Sequence, residues 1–303
     1  MVGGAITSVL RVGTLEASFE RTVFTDNFIA STEQLQGSKM FGGALVVFGA
    51  EVTTEITDCV FQGNHIDIDH DSNNAGSFGG AAYLFGEVVI QNVTFVENTI
   101  ESPFPSYGGA LALAYVYPIT LSNVTLRGNK MTSRLNHVGL GAGGGMYVYY
   151  RTLNMTNVMV EDNHADFGGG VLYWKLPGEY AEGSAEGMQM TNNTARVAGG
   201  AIYYMETGWP HTMACPVEGS GNTAGYGSDC ASNVYDLVFR DQVPTIIWPG
   251  QTFSVVLTLI DAFSNTAIIS GYSVRLPLST NCSPVLSLSS IRTLSRFFSL
   301  WCY

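Results

Sequence analysis

Apolar and polar residues alternate in short runs along most of the chain. The stretches "VVIQNVTFVEN" (88–98) and "PITLSNVTLRGN" (118–129) follow the period-two pattern of half-buried strands. Between such stretches stand runs that are apolar at nearly every position: "ALVVF" (44–48), "AAYLF" (81–85), "ALALAYVY" (110–117), "MYVYY" (146–150) and "AIYYM" (201–205). These runs are short, rich in β-branched and aromatic residues, and lack a 3.6-residue periodicity. No intervening segment reads as a capped amphipathic helix of ten residues. The pattern predicts an all-β chain.

Double glycines punctuate these runs, at positions 3, 42, 79, 108, 144, 169 and 199. Their mean spacing of about 33 residues lies in the range of stacked-repeat proteins. A second tag follows each in turn: "FTDN" (24–27), "FQGN" (61–64), "FVEN" (95–98), then "LRGN" (126–129), "VEDN" (160–163) and "MTNN" (190–193). A WD-type propeller needs about four strands in some 40 residues, too many for the shorter intervals here. Two or three short strands per repeat fit a parallel β-helix of about seven coils, roughly 34 Å long at about 4.8 Å per coil. In that architecture the glycines turn a corner. The first residue of F-x-x-N points inward onto its equivalent one coil away. Its Asn suits a turn, and stacked asparagines would form a ladder that satisfies buried turn amides.

The pairing of G-G-A-[ILV] with F-x-x-N, as in Gly42–Leu45 with Phe61–Asn64, resembles the repeat of the chlamydial polymorphic outer membrane proteins. Similar repeats occur in large β-helix surface proteins of algae and other protists. The resemblance covers residues 3 to 230. It implies a right-handed parallel β-helix, an exposed passenger and a role in adhesion at a cell surface. The bacterial members end in an outer-membrane β-barrel. Nothing in this sequence reads as one, so membrane attachment is expected only through parts missing from this chain.

Composition narrows the function. Among 303 residues there are 35 glycines, 46% apolar residues and only 13% charged ones, the balance of a β-rich solid with many turns. The formal net charge is −12, and the lysines are Lys39, Lys130 and Lys175 alone, so a nucleic-acid stripe is excluded. Residues 1–232 carry a net charge of −13 and residues 233–303 a net of +1, which marks a boundary near 232. Beyond it, "WPGQTFSVVLTLIDAF" (248–263) resembles the opening strands of an immunoglobulin- or filamin-like sandwich. Such a fold needs about 100 residues, so residues 233–275 read as a truncated module. Residues 276–303 form a Ser/Leu-rich tail of low information. The N-terminus "MVGGAITSVL" shows no signal-peptide pattern, and no apolar run has the length of a membrane span.

Candidate chemistry is sparse. Cys215 and Cys230 flank a Gly-rich stretch and close a loop in an oxidising compartment, unless they are two unpaired thiols. In "HIDIDHDSNN" (65–74), Asp67, Asp69 and Asp71 suggest a weak calcium site, although EF-hand spacing fails and a solvated insertion explains them as well. Asp26, Glu97 and Asp162 lie inside F-x-x-N tags, on non-adjacent coils, without forming a catalytic pair. Counting four residues past each double glycine gives a column of Val46, Tyr83, Ala112, Val148, Tyr173 and Tyr203. If this column faces outward, Tyr83, Tyr173 and Tyr203 offer stacking platforms for a sugar or a protein. The sequons at Asn92, Asn123, Asn154 and Asn192 are candidate glycosylation sites, with a further one at Asn281. No cofactor is implied. The expectation is a non-catalytic extracellular or cell-surface protein that presents a rigid surface to a protein or glycan ligand. The rival is a carbohydrate-active β-helix enzyme, either a polysaccharide lyase or a glycoside hydrolase.

Overall fold

The computed structural model describes residues 6–9, 14–31, 39–49, 51–68, 76–114, 118–133, 141–149, 153–175, 185–206, 215, 217–239 and 257–267. Among them every regular element is a strand. The strands coil into a parallel β-solenoid with three long sheets. Sheet I stacks the eight strands that follow the glycine tags, from Ile6–Val9 through Leu45–Phe48 and Ala82–Phe85 to Cys230–Ser232. Sheet II carries the alternating segments, among them Leu15–Glu20, Val52–Thr57, Glu87–Val96, Ile119–Arg127 and Leu153–Glu161. Sheet III follows the F-x-x-N tags, with Phe28–Ser31, His65–Ile68, Thr99–Ser102, Lys130–Ser133 and His164–Phe167.

Between sheets II and III the second tag closes the turn, and both of its anchor residues stack. Phe24, Phe61 and Phe95 lie face to face, with centroids 4.5 and 4.8 Å apart. Leu126, Val160 and Met190 continue the same column in register. Three residues on, Asn27, Asn64, Asn98, Asn129, Asn163, Asn193 and Asn222 form a ladder. From Asn64 on, each rung's Oδ1 accepts both the backbone N–H and the Nδ2–H of the Asn one coil earlier, as Asn129 does from Asn98 at 2.9 and 3.0 Å. The Nδ2 group then donates onward to the next Asn and back to the main-chain carbonyl of the preceding tag. For Asn129 these acceptors are Asn163 Oδ1 and Phe95 O, both at 3.0 Å. The rungs from Asn64 to Asn193 have no solvent exposure, and the ladder ends where Asn222 donates to the Asp229 carboxylate. Buried turn amides are thereby satisfied by side chains rather than water.

The glycine tags join sheet III to sheet I. In the pairs at 42, 79, 108 and 199 the first glycine lies at positive φ, +68° at Gly79. The second answers to proximity: a Cβ on Gly80 would sit 2.0 Å from the carbonyl oxygen of Gly109, one coil on. The same column runs through Gly109, Gly144, Gly169 and Gly200. In the last copy the position is Ser228, and the strand that follows it ends sheet I.

That end of the solenoid is covered. Val234–Phe239 pairs antiparallel with Leu257–Asp261, and the turn after Asp261 lies against the last coil. Asp261 Oδ2 accepts the Ser232 N–H at 3.0 Å, Asn265 Nδ2 donates to Cys230 O at 2.7 Å, and Phe263 stacks on Tyr204 at 5.5 Å. Hydrogen bonds thus cross the boundary expected near 232, and residues 257–267 act as a lid on the shaft. Of the module expected over 233–275, the described part is this two-stranded ribbon. The tail 276–303 lies outside the described residues.

Cys215 and Cys230 are joined by a disulfide, with Cα atoms 5.7 Å apart, so one covalent loop encloses the last coil. Cys59 is a free thiol buried in the main core. The 15-residue separation of the bonded pair corresponds to about 3 kcal/mol of stabilisation in the chain-entropy account. Cys215→Ser, Cys230→Ser and reduction of the unmodified chain are each expected to lower the denaturation midpoint to a similar extent. A midpoint indifferent to reductant would show that the last coil does not depend on the bond.

Candidate interaction surfaces

Two of the three tyrosines expected as a platform, Tyr83 and Tyr203, are not exposed. Tyr83 and Tyr203 point away from the main core, yet they are only 7% and 4% accessible. They belong to a second apolar cluster on the outer side of the glycine corner. The strand register also corrects the column itself. Val46 pairs with Tyr83, Tyr83 with Ala112, Ala112 with Tyr147, Tyr147 with Leu172 and Leu172 with Tyr203. Tyr173 stands one position over, paired with Val148 and Tyr204. The slip arises in the triple glycines 143–145 and 168–170, where the corner residues at positive φ are Gly143 and Gly168 rather than Gly144 and Gly169.

What buries these tyrosines is the residue just before each corner. Phe41, Phe78 and Tyr107 stack in a second column, with centroids 5.5 and 5.4 Å apart, and each leans over the glycine pair toward sheet I. In four coils the two columns compensate for each other: Tyr107 accompanies Ala112, Ala142 accompanies Tyr147, Ala198 accompanies Tyr203, and Tyr226 accompanies Ala231. In two others both residues are large, Phe78 with Tyr83 and Phe167 with Leu172. Large beside small in the four coils limits crowding at the corner, a condition for close packing. Burial raises the pKa of the Tyr107 phenol above its ordinary value. The signal was present in the sequence as an aromatic or alanine preceding each glycine run from Gly42 onward.

The sequons divide. Asn92 and Asn123 are exposed positions within strands of sheet II, both in the left-handed conformation (φ 55° and 52°). They form a surface ladder with Asp58 and Asn157: Asn92 donates to Asp58 at 3.0 Å, Asn123 to Asn92 at 3.0 Å and Asn157 to Asn123 at 3.2 Å. Asn154 is half-buried on sheet II, and Asn192 is exposed at a turn of the second tag. Asn281 lies outside the described residues.

Asp26, Glu97 and Asp162 occupy one column at the third tag position, with φ of 53°, 54° and 55°. Gly63 and Gly128 separate them on the intervening coils. The Asp26 carboxylate lies over Gly63, where a Cβ would meet its oxygen at 2.4 Å. Asp67 is half-buried on sheet III; Asp69 and Asp71 lie outside the described residues.

Sheet III also carries a small charged group. Arg196 Nε contacts Asp166 Oδ1 at 2.8 Å, and Asp166 Oδ2 accepts the Gly141 N–H at 3.1 Å. Burial, and then the charge of Lys130, push the nearby His164 below the usual histidine pKa. Asp166 here ties the residue where the chain re-enters sheet III.

Among the described residues, nothing covers the outer face of sheet II. Thr57, Gln91, Ser122, Thr156 and Glu186 align across five coils, and Val60, Thr94, Thr125, Met159 and Gln189 align beside them. All are exposed or half-buried. Neighbours across coils stand about 4.8 Å apart, so Gln91, Ser122 and Thr156 form one row of amide and hydroxyl groups and Thr94 and Thr125 a shorter one beside it, whereas the Thr57 hydroxyl is buried. Comparison with known proteins finds no matching family model, no matching curated protein and no matching solved structure.

Proposed function

We propose that the chain is a rigid, non-catalytic part of an extracellular or cell-surface protein and presents the outer face of sheet II to an extended ligand. That ligand is a surface glycan or a second protein. The observation that carries this reading is the in-register row of exposed or half-buried amide and hydroxyl groups at Gln91, Ser122 and Thr156, because a ligand repeating along its length meets polar groups at successive coils. The disulfide supports an oxidising compartment. The reading extends to right-handed coiling, a coil for each of the seven glycine tags, and an immunoglobulin- or filamin-like module begun after residue 232, as in the surface proteins the repeats resemble.

One observation favours a carbohydrate-active enzyme instead. Glu97 and Asp162 share a column two coils apart, which places their backbones roughly 10 Å from each other, near the wide limit for an inverting pair. A screen of uronate polymers and neutral glycans separates the two. Binding without turnover, weakened at least tenfold in a Gln91→Ala/Ser122→Ala/Thr156→Ala variant, is the expected result. Turnover that disappears in Glu97→Gln or Asp162→Asn would replace the adhesive reading with the catalytic one.

A further inference from the structure

Asn92 and Asn123 stand on neighbouring coils of sheet II, and each begins an Asn-Val-Thr sequon that ends at Thr94 or Thr125. Their side-chain amides are already engaged. Asn92 Nδ2 donates to Asp58 Oδ1 on the coil before, and Asn92 Oδ1 accepts from Asn123 Nδ2 on the coil after, both at 3.0 Å. Asn123 repeats the arrangement between Asn92 and Asn157. Oxygen and donated hydrogen thus point in opposite directions along the shaft, so each Nδ2 gives the ladder the hydrogen anti to its own Oδ1. The second hydrogen, syn to the oxygen, has no partner among the described residues and points away from Cβ, toward solvent at these exposed positions. The buried ladder differs: Asn98 Nδ2 uses both hydrogens, on Asn129 Oδ1 and Phe61 O.

We propose that Asn92 and Asn123 together form one attachment site for an N-linked glycan, occupied at one rung at a time. In the transfer, the sugar C1 exchanges its bond to the leaving group of a glycosyl diphosphate donor for a bond to Nδ2, and the displaced amide proton goes with the diphosphate. The product is a secondary amide. Like a peptide bond it prefers the trans form, with the substituent syn to the oxygen and the remaining hydrogen anti. The sugar therefore replaces the hydrogen that the ladder leaves over and keeps the one that it uses. The two attachment nitrogens lie about 4.8 Å apart, one coil rise, which is less than the breadth of a branched glycan core. A chain folded with one glycan excludes the other. Asn157 continues the ladder but is followed by Val158 and Met159, so the site ends at Asn123. An attached glycan stands between the row of Gln91 and Ser122 and that of Thr94 and Thr125, and the modified fraction offers no free face on these coils. That last consequence rests on the sheet II reading above; the attachment does not.

The test directs the full chain into the secretory pathway of a eukaryotic host and weighs its tryptic peptide of residues 40–127. This peptide holds no internal lysine or arginine, and its only sequons are those at Asn92 and Asn123. One glycan per modified peptide is expected, divided between the two rungs. Thr94→Ala breaks the first sequon without touching the ladder and is expected to confine the glycan to Asn123. Thr125→Ala is expected to confine it to Asn92, and the double variant to abolish it. Because the ladder survives, the glycosylated and unmodified fractions are expected to share one denaturation midpoint. Peptides that carry no glycan, or two, overturn the proposal, as does a lower midpoint for the glycosylated fraction. These readouts are mass and stability, so they stand apart from the outcome of the glycan screen.

Discussion

Replacing Asn129 with leucine is expected to lower the unfolding free energy by about 4 kcal/mol, read from the shift of a denaturant midpoint. Four hydrogen bonds between 2.9 and 3.0 Å are lost at a fully buried site. The Asn98 amide and backbone N–H lose their acceptor, and the Phe95 carbonyl loses its donor. Each orphaned buried group costs roughly 1–3 kcal/mol, and leucine returns only part of that through apolar contact. Asn129→Asp is expected to cost more at neutral pH, because it keeps the acceptors, discards both donors and buries a charge. The control is Asn27→Leu, which removes one side-chain hydrogen bond, to Asn64 Oδ1, at the half-buried first rung and is expected to cost less than about 1.5 kcal/mol. Equal losses at the two positions would show that the ladder contributes no more than an ordinary turn.

Tyr147→Ala is expected to destabilise by about 3–5 kcal/mol, the cost of deleting a buried aromatic. Its coil already carries Ala142 at the facing position, so no large side chain remains to fill the corner. Tyr147 contacts Tyr107 at 5.0 Å and Phe78 at 6.0 Å, and both would border the cavity. Ala142→Phe alone is expected to overpack the corner at about 1–3 kcal/mol. Together the two changes restore the large-beside-small arrangement of the Tyr107–Ala112 coil. The double variant is expected to recover at least half of the Tyr147→Ala loss, a coupling that a double-mutant cycle measures directly. Additive losses would mean that the two columns are filled independently.

Most of the interior was legible in the sequence because two periodicities coincide there. Alternation within the strands and the spacing of Phe61, Asn64 and their equivalents both report a coil whose inward residues meet copies of themselves. Covered outer faces were harder to read. Tyr83 and Tyr203 obey the same alternation as an exposed residue would, and only a long-range contact to Phe41 or Phe167 decides their burial. The triple glycines added a local ambiguity, since a string of identical residues does not reveal which one turns the corner. Sequons and acids suffered in another way. Asn92 and Asn123 were read for their chemistry, yet their left-handed backbone and the ladder through Asp58 set their local role in the fold. The disulfide was visible as a spacing, but choosing it over two thiols required the folding of 215–230 into one coil.

Ser228 has a further consequence. A side chain is tolerated at the second corner position only where no following carbonyl is stacked, so this residue acts as a stop mark for the shaft. Duplicating a whole coil upstream of it, between two glycine pairs, lengthens the protein without a clash. Adding one beyond it drives the serine Cβ into the new turn. The length of the solenoid is therefore written in discrete increments, and a single serine fixes the direction in which it can grow.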